Sequence, residues 1–187
     1  MSGLSVSETA IPAVKILAPR KFGDHRGFFS ETYNRRDFAA AGLDLDFVQD
    51  NHSFSAVAGT IRGLHFQSKP FAQAKLVRVT RGKILDVAVD IRRPSSTFGK
   101  HVAVELSAEN WLQLLVPIGF LHGFLTLVAD VEVIYKVTNY YSAEHDLGVA
   151  WNDPDLAIPW PDVAREPTIS AKDAKLPRLK DLPSMFD

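Results

Sequence analysis

The sequence predicts a mainly β fold, a closed or double-sheet barrel of jelly-roll type, and three observations carry that expectation. Short apolar or alternating runs recur along the chain, separated by Gly, Pro, Asn and Asp, which is how strands joined by turns read. In the second half these runs fall at the near-regular spacing of a sandwich or barrel. Helix signals are few.

Taken in order, the first stretch, residues 14–90, is a series of such runs, with one clear helix over residues 34–41 stopped by Gly42. Residues 59–67 read as a short strand. Residues 75–81 and 83–92 read as two strands joined at a tight turn on Gly82, because Leu85, Val87, Val89 and Ile91 alternate against Asp86, Ala88 and Asp90. Pro94-Ser95-Ser96-Thr97 makes a loop. Strands are then expected over residues 102–106, 111–116, 123–127 and 131–138. After Trp151 the chain turns irregular and proline-rich, with a short helix expected from Ser170. At 187 residues the chain is expected to form one domain over 1–187, with a core over about 14–151 and an irregular C-terminal cover over 152–187. A few short peripheral helices complete the expected jelly roll, whose mouth is a natural place for a ligand.

Bulk composition narrows the function. The 21 Lys and Arg residues nearly balance 22 Asp and Glu for a net charge of -1, so neither a nucleic-acid footprint nor a polybasic membrane surface is expected. There is no cysteine, which removes disulfides and Cys-ligated zinc and fits a reducing compartment. The first residues lack the basic and apolar segments of a secretion signal, and no apolar run approaches the roughly 20 residues of a membrane helix. A cytoplasmic location is expected.

Two histidines stand out. His65 follows Arg62 in Arg62-Gly63-Leu64-His65-Phe66-Gln67, and an imidazole held beside a fixed cation is a candidate general base. The alternative is a surface arginine and a satisfied core imidazole. Strict alternation puts Arg62 and His65 on opposite faces, unless Gly63 hosts a bulge that turns both to one site. His122 closes Pro117-Ile118-Gly119-Phe120-Leu121-His122, a spacing that resembles the second metal motif of the cupins. In a metal-binding cupin the first motif would supply a His-x-His pair and a carboxylate; here Gln67 stands at the second position, so no metal is expected.

Strand parity adds two more groups. Tyr135 shares a face with Val131, Val133 and Val137, and Lys75 with Val77 and Val79, so both polar heads are expected inside the barrel. There a phenol or ammonium needs a partner or a use, and an apolar wall moves its pKa. The competing reading has both near strand ends, snorkelling to water.

These motifs occur in order with Phe22-Gly23-Asp24-x-Arg26-Gly27-Phe28-Phe29-x-Glu31, Gln49-Asp50-Asn51-His52-Ser53, Asp86-Val87-Ala88-Val89-Asp90-Ile91-Arg92, Tyr135-Lys136 and Ser170-Ala171-Lys172-Asp173. Over nearly its whole length the chain thus resembles the dTDP-4-dehydrorhamnose 3,5-epimerase family. The resemblance implies a cupin-type jelly roll, a homodimer formed by strand exchange, no cofactor, and dTDP-4-dehydro-6-deoxy-glucose or a close dTDP-keto sugar as substrate, on the route to dTDP-rhamnose. It implies His65 as base, Asp173 as the carboxylate fixing its tautomer, Tyr135 as acid and Lys75 as the partner of the enolate oxygen. On residues alone, Ser170-x-x-Asp173 reads first as a helix capping box, and only the resemblance turns Asp173 toward His65. Arg26, Glu31, Gln49, Asn51, Arg62, His122 and Lys172 correspond to substrate-binding positions, with Arg26 and Arg62 suited to a diphosphate. Phe28 and Tyr141 are candidate thymine-stacking faces, while residues 142–146 match the family only loosely. Three alternatives stay open: an epimerase of a single carbon, C3 or C5; a metal-dependent cupin enzyme using His65 and His122; and a non-catalytic nucleotide-sugar binding module.

Overall fold

The structure, a computed structural model, describes residues 3–163 and 166–187. The first two residues of the expected domain and residues 164–165 of its expected cover lie outside the described residues. In chain order the elements are β1 (Leu4–Glu8), β2 (Lys15–Pro19), β3 (Lys21–Asp24), β4 (Gly27–Ser30), α1 (Arg35–Ala40), β5 (Gln49–Ser55), β6 (Ile61–Gln67), β7 (Lys75–Arg81), β8 (Lys83–Asp90), β9 (His101–Ser107), β10 (Gln113–Val116), β11 (Phe120–Thr126), β12 (Val131–Val137) and β13 (Asp146–Gly148). A six-stranded sheet runs β1-β2-β10-β7-β12-β5 and a five-stranded sheet runs β13-β6-β11-β8-β9, all pairs antiparallel. The chain is a mainly β jelly roll.

Alternation along the strands sorts the side chains into three apolar clusters. Val77 and Val79 of β7, Ile84 and Ala88 of β8, Phe120 and Phe124 of β11, and Val131 and Val133 of β12 meet between the sheets. The intervening residues Val87, Val89 and Leu121 face outward and are covered by Leu156, Leu179, Leu182 and Phe186 of the tail. On the other sheet, Leu17, Leu76 and Leu115 are covered by Phe38 of α1. Central strands are therefore buried on both faces, and the alternation of Asp86, Ala88 and Asp90 against their neighbours divides inner from outer core: all three are fully buried.

Several expected bounds shift. The strand expected over 83–92 ends at Asp90, whose carboxylate binds Arg92, Ser95 and Thr97 and turns the chain out of the sheet. The strand expected from 111 starts at Gln113, because Trp111 has a φ of 60° in the preceding turn. The strand expected from 123 begins at Phe120, and the helix expected from Ser170 is only a 3₁₀ turn over Asp173–Lys175. The helix expected over 34–41 is trimmed by one residue at each end to Arg35–Ala40: Asn34 caps it by accepting from the Arg36 N–H, and Gly42 follows its C-cap Ala41 with a φ of 79°.

The hairpin of β3 and β4 pairs only with itself and belongs to neither sheet. Its Phe22, Phe28 and Phe29 are 50%, 56% and 69% exposed, an apolar surface that the chain's own fold leaves open.

Candidate active site

The site begins with an irregularity in β6. His65 pairs with His122 of β11 and Arg62 with Phe124, so Gly63 and Leu64 together oppose Gly123. This is a β-bulge, and it restores Arg62 to the face occupied by His65, as the glycine between them allows. Gly63 has a φ of 123°, and a Cβ there would lie 2.6 Å from the Gly123 Cα and 2.8 Å from the His122 carbonyl oxygen. Only glycine fits.

The bulge opens onto a cleft of about 530 Å³ between the two sheets. Arg62, His65, His122, Phe124 and Asp146 line it from the five-stranded sheet, Ser53, Lys75 and Tyr135 from the six-stranded sheet, and Thr168, Ile169, Ser170, Lys172 and Asp173 from the tail. The tail is a wall of the cleft rather than only a cover. It is held there by a parallel bridge between Thr60 and Thr168.

His65 donates from Nε2 to Asp173 Oδ1 at 2.7 Å, while Asp173 Oδ2 accepts from the Gly63 N–H at 3.3 Å. The Asp173 N–H in turn donates to Ser170 Oγ at 3.0 Å, but the short turn over Asp173–Lys175 has Lys172, not Ser170, at its N-cap, so this bond steadies the Asp173 backbone without making a helix capping box. Burial pushes the Asp173 carboxyl up, but the hydrogen bonds and charge of His65, with the bonds from Gly63 and Ser170, outweigh it and leave it below its ordinary value. An ionised Asp173 fixes the imidazole proton on Nε2 and leaves Nδ1 with its lone pair, the form a base requires.

Lys75 and Tyr135 enter from the opposite wall, as their parity with the valines of β7 and β12 requires. Burial lowers the Lys75 pKa to about 8 against the opposing pull of Asp146 and Asp86. Burial also raises the Tyr135 hydroxyl, with Asp146 adding to the effect and Arg62 opposing it. The phenol therefore stays protonated across the neutral range. Arg62 is held by Ser55 Oγ at 3.1 Å and the Phe54 carbonyl at 2.8 Å, and no carboxylate pairs with it among the described residues. Gln67 is committed elsewhere, accepting the Ser142 N–H at 2.9 Å. Among the described residues no three His, Asp or Glu side chains form a group that could hold a metal ion.

Of the sequence-derived candidates, His65, Lys75, Tyr135, Asp173, Arg62, His122 and Lys172 thus share one cleft. Gln49 and Asn51 are neighbours on β5, bonded to each other at 2.9 Å, and Asn51 lies directly across from Tyr135. Tyr141 is exposed and donates to Asp146 Oδ2 at 3.2 Å, which puts it beside a cleft-lining carboxylate. Arg26, Phe28 and Glu31 do not reach the cleft of their own chain. Arg26 and Phe28 belong to the free-standing hairpin and its flanking turn, where Arg26 pairs with Asp24, and Glu31 follows the hairpin and bonds Asn34. Sequence reasoning passed over Ser53, Asp86, Asp146 and Thr168. Asp86 carried a readable signal, a carboxylate within an otherwise apolar strand; it accepts from His122 Nε2 at 2.7 Å with both side chains buried. Asp146, which binds Lys172, lies in the stretch with the loosest pattern and gave none.

The family described as dTDP-4-dehydrorhamnose 3,5-epimerase matches residues 8–181 of this chain. The chain belongs to that family. A relative with that name from Sinorhizobium fredii is 54% identical over 177 residues, covering 95% of this chain and 90% of its own. Among solved structures of the family, one from Bacillus anthracis with TDP and PPi bound has a TM-score of 0.90 at 55% identity, over 94% of this chain and 99% of its own. Another, from Legionella pneumophila in complex with dTDP-4-keto-L-rhamnose, has a TM-score of 0.92 at 42% identity, over 96% and 95%. No helix among the described residues is long and apolar enough to cross a membrane.

Proposed function

We propose that this chain is a dTDP-4-dehydrorhamnose 3,5-epimerase that inverts C3 and C5 of dTDP-4-dehydro-6-deoxy-glucose without a cofactor. The observation that carries the reading is the placing of a carboxylate-oriented imidazole, His65, on one sheet and a protonated phenol, Tyr135, on the other, with one cleft between them. The C4 ketone acidifies the protons on both neighbouring carbons. His65 Nδ1 takes the proton from the carbon presented to it, and the electron pair moves onto the ketone oxygen. Lys75, as an ammonium on the inner wall of the cleft, stabilises that enolate oxygen. Tyr135 returns a proton from the opposite face, which inverts the centre; a shift or flip of the ring presents the second carbon to the same pair. His122 and Lys172 hold the sugar nucleotide, and Arg62, a fixed guanidinium with no carboxylate partner, takes the diphosphate.

The site is completed in trans. The exposed hairpin carries Arg26 and Phe28, with Glu31 just beyond it, away from their own cleft, and the uncovered phenylalanines beside them supply the apolar surface for a second copy. In a homodimer formed by exchanging this hairpin, Arg26 joins Arg62 on the diphosphate, Phe28 and Tyr141 stack on thymine, and Gln49, Asn51 and Glu31 complete the contacts. Residues 1–187 act as one domain, and the location is the cytoplasm.

Isotope exchange tests the reading. In deuterated buffer the purified protein should load deuterium at both C3 and C5 of dTDP-4-dehydro-6-deoxy-glucose. Label at a single carbon would instead assign a mono-epimerase, and activity lost on chelation and recovered with a first-row metal would assign a metal enzyme.

A further inference from the structure

Asp86 is a fully buried carboxylate that the proposed proton transfers do not use. It points from β8 into the barrel, on the face of Ile84 and Ala88, and bonds His122 through Oδ1. Its second oxygen, Oδ2, is buried with no hydrogen-bond partner among the described residues. A buried carboxylate oxygen left without a donor is unfavourable, so its presence beside a reaction cleft calls for a use.

The charges around Lys75 show what that use is. Facing it are Asp86 on β8, His122 on β11, Arg62 and His65 on β6, Asp146 on β13, Tyr135 on β12, and Lys172 and Asp173 in the tail. Two of the three carboxylates are already engaged. Asp173 accepts from His65 and the Gly63 N–H, and Asp146 accepts from Lys172 and Tyr141. Asp146 takes both of its bonds on Oδ2, and Asp86 Oδ2 is the one buried carboxylate oxygen without a donor among the described residues. Lys75 for its part makes no hydrogen bond or ion pair through its ammonium among the described residues, yet in the proposed reaction it must stay protonated.

We infer that Asp86 is a positioning residue for the epimerisation, acting on two cleft side chains at once: Oδ1 fixes the tautomer of His122, and the charge on the carboxylate joins that of Asp146 in favouring the ammonium of Lys75. With the His122 proton fixed on Nε2, Nδ1 is the ring nitrogen left to meet substrate. The negative charge inside the barrel favours the ammonium of Lys75 without a direct ion pair, so Lys75 stays available to the enolate oxygen. The inference rests on the enolate reading of the site.

The test reads Lys75 directly. Trace acetylation with acetic anhydride across a pH series, followed by mass spectrometry of the Lys75 peptide, reports the ammonium-to-amine transition without substrate. In the wild type the midpoint should fall near pH 8. Asp86→Asn keeps an acceptor for His122 but removes the charge, and should lower the midpoint by about one unit or more. The alkaline limb of kcat should move down with it, giving about tenfold less turnover on that limb. An unmoved midpoint in folded Asp86→Asn overturns the inference. His122→Asn leaves the Asp86 charge in place and should leave the Lys75 midpoint at or above the wild-type value; a fall overturns the inference even if Asp86→Asn does not fold. Failure of the wild type to exchange deuterium into the sugar would instead count against the enolate reading, whatever Lys75 does.

Discussion

At the scale of single residues, the site joins groups whose environments push them in different directions. Lys75 is the clearest case. Burial holds its pKa near 8, so the ammonium that the proposed reaction needs is present below that pH and lost above it, and kcat is expected to fall as pH rises through about 8. For stability the sign is reversed. The unfolded chain binds the lysine proton more tightly than the folded one, so below the ordinary lysine pKa the buried amine opposes folding. Lys75→Met should therefore abolish turnover while raising Tm by several degrees, about 1–3 kcal/mol of stability. Asp173 shows the ordinary carboxylate pattern. Its lowered pKa contributes stability above the unfolded carboxylate value, and that contribution is lost as pH falls through the folded value. Asp173→Asn should lower kcat by roughly 10²–10⁴-fold with KM little changed, and its Tm deficit should shrink on acidification. Tyr135→Phe should keep solvent exchange at the substrate while inversion fails; equal loss of both would make Tyr135 structural. The places of Lys75 and Tyr135 were readable from strand parity, because the pleat gives a side chain no choice of face. Asp86 was readable only as a carboxylate among apolar neighbours on β8, and not as a cleft group, since alternation cannot tell an inner face from an outer one when both are covered.

At the scale of elements, β6 carries the decisive geometry. Gly63 sits where a Cβ would press on the backbone of β11, and its φ is one that other residues rarely adopt. Gly63→Ala should cost roughly 2–5 kcal/mol, the sum of backbone strain and overpacking, and should reduce activity beyond the loss of folded protein by disturbing Arg62 and His65. Thermal melts and kcat/KM on the folded fraction check this. The sequence permitted this bulge without requiring it: glycine opens the option, but the register of β11, set 60 residues later, decides which residue is extra. Strand ends were missed for a related reason. Asp90 stops β8 through bonds to Arg92, Ser95 and Thr97, and such contacts override the apolar pattern that runs on through Ile91.

At the scale of the whole molecule, the chain's own fold leaves its hairpin outside both sheets and its aromatic residues uncovered. If Arg26 serves the cleft of a second copy, Arg26→Ala and His65→Ala chains, each nearly inactive alone, should regain activity on co-expression, since each mixed dimer then contains one intact site. The ceiling is about a quarter of wild-type activity if chains pair at random; no recovery would put Arg26 in cis or out of the reaction. Arg26, Phe28 and Glu31 were legible as motif residues, yet no reading of one chain says whose cleft they serve.

The bond between His65 and Asp173 spans 108 positions of sequence. During synthesis the barrel strands leave the ribosome before Asp173, the carboxylate bonded to the imidazole. A nascent chain can therefore build its sheets, and even shape half the cleft, while its base is still undirected. A chain truncated before Asp173 lacks the carboxylate that holds His65.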